Sequence, residues 1–104
     1  MDTESLIAQA KARFAHEANR RVLKEKYEAK MLFAYNGGMW RAGPDLLSTL
    51  NFCRITDESE AVLLDLYETP IKVKLQELWN LAAQRWQEQM TAWHIEYEEA
   101  RKNR

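Results

Sequence analysis

The sequence predicts a mainly α-helical fold in which two long antiparallel helices, about 4–34 and 75–102, are joined by a short helix at about 44–52 and a small β-hairpin at about 61–74. Three observations predict it. Only three Gly and two Pro occur in 104 residues, so there are few places to interrupt regular structure. Both terminal stretches, 4–34 and 75–102, lack these two residues entirely. Apolar residues in both recur at helical spacing. A chain of this length has interior enough for one core, so residues 1–104 are expected to form a single small, elongated domain.

The first helix opens after Asp2 and Thr3, which are suited to capping, and closes at Asn36, Gly37 and Gly38, which supply left-handed backbone positions. Ile7, Ala10, Phe14, Ala18, Val22, Ala29 and Leu32 form one stripe, interrupted by Lys11 and Glu25. At ~1.5 Å per residue the helix is roughly 46 Å long, more than a compact globule of this size can cover. It is therefore expected to lie along another helix or another subunit. Its shallow, Ala-rich stripe is the surface expected to accept the second long helix.

Gly43 and Pro44 read as the entry to the short helix, with Pro at the first helical position and Leu46, Leu47, Leu50 and Phe52 facing inward. Trp40, in the connection before it, is expected to plug the end of the helical pair. Asp57 and Glu60 have the spacing of a capping box for a helix running to Tyr67. The β-branched content, the Thr69-Pro70 break and the alternation Ile71, Lys72, Val73, Lys74 instead favour two short strands, with Ile71 and Val73 on one face.

In the last helix Trp79, Trp86, Trp93 and Ala100 occupy one heptad position, and Ala83, Met90 and Tyr97 the other apolar one, with Leu75 and Leu78 extending the seam. Alternation of large with small side chains suits a packed interface. Trp79 and Trp86 are expected to be largely buried within the chain, and Trp93, next to the polar C-terminal run, to be completed by another subunit. A strip on which nucleic-acid bases stack needs basic neighbours, whereas the neighbours of these rings, Glu77, Gln84, Arg85, Gln87, Glu88, Gln89, Glu96, Glu98 and Glu99, are mainly acidic or neutral. The surface expected to meet a protein partner comprises Trp79, Trp86, Met90, Trp93, Tyr97 and Trp40.

Other chemistry is sparse. Fifteen basic against sixteen acidic side chains give a net charge of -1, which provides no field for nucleic acid or an acidic membrane. Cys53 is the single cysteine, so no internal disulfide or two-cysteine metal knuckle can form. His94 and Glu98 stand four apart with no third metal ligand evident and read as a solvated pair, and His16 beside Glu17 is equally unremarkable. There is no phosphate loop or serine elbow, so neither an enzyme, a cofactor, a metal nor a small-molecule substrate is expected. The N-terminus lacks a recognisable signal peptide and no segment has the roughly 18 apolar residues of a membrane span, which points to a soluble cytoplasmic product.

The run V L L D L Y E T P I K V K L Q E L W N L A A Q R W Q E Q M T A W H, within residues 62–102, resembles a hairpin-plus-long-helix segment of small tail-, baseplate- or tail-fibre-associated proteins of tailed bacteriophages. The likeness rests on the two short strands around E T P, the K V K L Q E L entry and the Ala, Gln and aromatic helix beyond. It does not cover the N-terminal helix. It implies a virion component or assembly protein that associates with itself or with other virion proteins in the host cytoplasm, and it implies no catalytic residues. A small phage-encoded regulator that binds a host protein through the Trp face is the alternative.

Overall fold

The computed structural model describes residues 3–102 and orders them as α1 (Thr3–Lys30), β1 (Leu32–Tyr35), β2 (Gly38–Arg41), α2 (Pro44–Ile55), β3 (Glu60–Leu64), β4 (Pro70–Lys74) and α3 (Leu75–Lys102). It is mainly helical, with two long helices and two antiparallel hairpins. The molecule measures 65 × 24 × 23 Å, a rod with its core at one end. The cap expected at Asp2 lies outside the described residues, and Thr3 is already helical.

The first helix is shorter than its composition predicts. It stops at Lys30, and Leu32–Tyr35 turns back as a strand on Gly38–Arg41. Asn36 (φ 52°) and Gly37 (φ 81°) are both left-handed, the conformation of a two-residue turn matched to strand twist. Asn36-Gly37 is thus a hairpin turn rather than a helix stop. The hairpin wins because its register sets Phe33 opposite Trp40 and buries both, whereas a continued helix has no second strand to pair.

The second hairpin forms as expected. β3 and β4 pair antiparallel from Glu60↔Lys74 to Leu64↔Pro70, with Ile71 and Val73 turned inward. Asp57 (φ 63°) is left-handed at the end of α2 and donates its N–H to the Arg54 carbonyl, so it ends one helix instead of capping another. The connection, residues 65–69, has a turn closed by the Glu68 N–H on the Asp65 carbonyl, with Glu68 left-handed (φ 61°), a recurrent hairpin closure. A lone hairpin is marginal in water. Here the two support each other: Leu66 N–H donates to the Met39 carbonyl, Asn36 Nδ2 to the Lys72 carbonyl, and Gly38 is so tightly set against Ile71 and Asp65 that a Cβ there clashes.

The core comprises Met31, Phe33, Trp40, Ala42, Leu50, Val73, Leu75, Leu78 and Ala82. β1, β2, α2, β4 and α3 supply it, and Ala61 and Leu63 of β3 pack against it; α1 reaches α3 farther along the rod, through Leu23 and Tyr27. Complete burial of a Leu such as Leu50 or Leu78 contributes about 1.5–3 kcal/mol, so this cluster dominates stability. Phe52, expected to face inward, is exposed, whereas Leu46 and Leu47 pack on the cluster.

The helical pair is antiparallel but docks on a different face of α1 than the sequence stripe indicates. Tyr27 stacks on Trp93 with centroids 5.8 Å apart and planes 7° from parallel. Lys26 pairs with Glu96 at 2.6 Å, and Arg85 donates to the Lys30 carbonyl at 3.5 Å. Ile7, Phe14 and Val22 face solvent at 49%, 73% and 61% exposure. The expected acceptor stripe is outside because two large side chains, Leu23 and Tyr27, fill the concavities of α3 better than alanines do.

Candidate functional site

The heptad geometry of α3 presents its aromatic residues in succession along the rod, and each meets a different neighbour. Half-buried Trp79 faces α2, where the Arg54 guanidinium lies 5.3 Å from the ring centre. Trp86 is half-buried beside Gly43, at the entry to α2, and Met90 packs on the core. Trp93 is half-buried and largely engaged by Tyr27 of the same chain. Tyr97 is also half-buried. The line buried most completely in α3 is Leu75, Leu78 and Ala82, adjacent to the Trp positions. Trp40, named both as a plug and as an interface residue, is 3% exposed with its Nε1–H donated to the Tyr35 carbonyl. It is the plug, and it reaches any partner only as a floor.

A cleft of about 610 Å³ opens where the α1–α3 junction, the start of α2 and the second hairpin converge. Met31, Trp40 and Ala42 line its base, Trp86 and Trp93 one side, and Leu63, Leu64 and Leu66 the other. Glu28, Arg41 and Asp45 stand among the lining residues. Leu64 and Leu66 are 62% and 41% exposed, so apolar surface continues from the cleft onto the hairpin. The arrangement suits an apolar segment held between indole and leucine side chains and flanked by charge.

Asp65 fixes the hairpin side of the cleft. One carboxylate oxygen accepts the Met39 N–H at 3.1 Å; the other accepts those of Tyr67 and Thr69 at 2.9 and 3.0 Å. These donors, Thr69 and Met39 foremost, hold its pKa below the ordinary aspartate value against the opposing effect of burial. At the α1–α3 junction the Lys26 ammonium lowers the Glu96 pKa and is itself raised, first through their hydrogen bond. On the opposite hairpin Tyr35 Oη donates to Glu77 and accepts the Lys74 N–H, its pKa raised by burial and then by Glu77.

The structure therefore brings together Trp40, Trp86 and Trp93 of the expected surface, and leaves Trp79 on the α2 side. Tyr27, Leu63, Leu64, Leu66 and Asp65 were not legible as site residues. They come from elements distant in sequence, and only Tyr27, a large aromatic on a helix otherwise rich in Ala, carried a local signal. His94 Nε2 lies 3.8 Å from Glu98 Oε1, with the imidazole exposed and the carboxylate half-buried, and Cys53 is half-buried against the core. Among the described residues no group of three or more His, Cys, Asp or Glu is placed to hold a metal, and no helix is long and apolar enough to cross a membrane. Comparison with protein-family models, with curated proteins and with solved structures finds nothing that matches this chain.

Proposed function

We propose that this chain is a structural or assembly protein of a tailed-phage particle, acting through protein–protein association and without catalysis, and that its Trp-lined cleft receives an apolar segment of another particle protein. The observation that carries the reading is the cleft itself: the side chains of Trp86 and Trp93 with a buried Trp40, continuous with exposed Leu64 and Leu66. Aromatic side chains around a desolvated concavity are the usual anchors of protein interfaces. The rod shape, with its core at one end, supports the same reading, because a 65 Å strut positions a binding end at a distance from its base. Assembly in the host cytoplasm, with or without retention in the virion, follows from that role.

Trp86→Phe and Leu64→Asp are the variants that test it. Particles and assembly intermediates purified from cells infected by a phage carrying the gene should contain the wild-type chain by mass spectrometry. Both variants should keep their helical circular dichroism and lose incorporation at least ten-fold. Absence of the wild-type chain from particles and intermediates alike overturns the proposal, as does undiminished incorporation of both folded variants.

A further inference from the structure

We infer that the outward face of α1 is a homodimer surface, on which a second copy of this chain packs antiparallel about a two-fold axis at Ala18. The surface is separate from the cleft, so the inference stands independently of what the cleft binds.

Residues 3–15 are exposed throughout, and the side of α1 opposite the stripe is the one on which Leu23 and Tyr27 are buried and His16 is half-buried. The outward stripe holds Ile7, Phe14 and Val22, all about half exposed or more. Large apolar side chains on the far side of a helix already docked through its other face have no role within the monomer.

The stripe has a further property that selects its occupant. Within α1 its central line, with Ala10 to one side of it and Leu32 already in β1, passes through positions 7, 11, 14, 18, 22, 25 and 29, which read the same in either direction about residue 18 and repeat every eleven residues. An eleven-residue repeat keeps a stripe almost straight along an α-helix, so two such helices can remain in contact over most of their length. The chemistry is matched as well as the spacing. Reversing one copy about Ala18 sets Phe14 against Val22 and Ile7 against Ala29, with Ala18 meeting its own counterpart at the axis, where a small side chain permits close approach.

The two charged residues on that line, Lys11 and Glu25, are equidistant from Ala18 and opposite in sign. The antiparallel dimer therefore pairs Lys11 with Glu25 twice. A parallel dimer sets Lys11 against Lys11 and Glu25 against Glu25, which is repulsive. A self-complementary patch of this kind is the requirement of an isologous two-fold interface. The contact runs over roughly 33 Å of helix, which places it among small interfaces with affinities nearer micromolar than nanomolar. It also sets the two cores, each with its cleft, at opposite ends of a longer strut.

Sedimentation equilibrium of the full chain over a concentration series, with charge exchanges at exposed positions, tests the arrangement. The wild type should dimerise reversibly. Lys11→Glu and Glu25→Lys should each weaken the dimer about ten-fold or more, since either change creates two like-charge pairs, and the double exchange should return the affinity to near wild type. In a Cys53→Ala background, Ala18→Cys should form an intermolecular disulfide on mild oxidation, because the axis brings the two copies of this position together. A wild type that stays monomeric throughout the series overturns the inference. So do single exchanges without effect, a double exchange no better than the singles, or no cross-link at position 18. Since these measurements need only the purified chain, their failure is separable from failure of particle incorporation.

Discussion

Asp65 shows how one side chain can organise a junction. It is 8% exposed and accepts three backbone N–H groups from both hairpins. Because its pKa is lowered on folding, its contribution is fully present above the ordinary aspartate range and is lost as pH falls through the lowered folded value. Asp65→Asn should therefore reduce the melting temperature at neutral pH, and the difference from wild type should shrink on acidification below pH ~4, as scanning calorimetry at several pH values will show. The Lys26–Glu96 pair follows the same logic at both ends: it is lost below the depressed Glu96 range and above the raised Lys26 range. Glu68 illustrates the reverse situation. Its left-handed φ of 61° costs about 1–2 kcal/mol for a residue with a Cβ, only part of which the added flexibility of glycine cancels. Glu68→Gly should therefore stabilise the chain by about 0.5–1 kcal/mol in urea denaturation, and a destabilised variant would show that the Glu68 side chain has a role beyond the turn.

At the scale of elements, the competition between helix and hairpin over residues 31–41 is decided by the turn. Gly37→Ala places a Cβ on a φ of 81°, and nothing lies within 4 Å to crowd it, so the cost is conformational, about 1–2 kcal/mol. The measurable consequence is a lower denaturation midpoint together with faster amide exchange in Phe33 and Trp40, while α3 amides keep their ranking. Selective loss of protection in α3 would contradict this account. The docking of α1 on α3 depends on far fewer contacts. A double-mutant cycle with Tyr27→Leu and Trp93→Leu should return a coupling energy of about 0.5–1.5 kcal/mol, the range of stacked aromatic pairs beyond their burial. A coupling near zero would mean that the stack is incidental.

For the whole molecule, stability and association reside in different places. Leu78, with no exposed surface, is in the core; Phe14, 73% exposed, is on the rod. Leu78→Ala should cost about 2–5 kcal/mol, a large part of the total for so small a domain. Phe14→Ala should leave stability at low protein concentration within about 0.5 kcal/mol, as surface changes do. The same change should weaken dimerisation in sedimentation equilibrium. Reversal of this pattern, with Phe14→Ala unfolding the monomer, would place the outer stripe in the fold instead of at an interface.

Long Gly- and Pro-free stretches determined α1 and α3, because helix is the one regular structure that satisfies every backbone group locally over such a length. Pro44 marked the start of α2, and the period-two alternation around Ile71 and Val73 marked β4. Asn36-Gly37 carried the signal of a hairpin turn, but the same residues also suit a helix end, and only the burial of Phe33 against Trp40 chose between them. Helical periodicity located the apolar residues of α1 but could not say which of its two faces would meet α3. That depended on the fit of Leu23 and Tyr27 against Trp93, a pairing across distant parts of the chain with no local signature. The cleft was likewise decided by tertiary structure alone, since its sides come from helices and a hairpin that meet only after the core at Leu50, Val73 and Leu78 has closed.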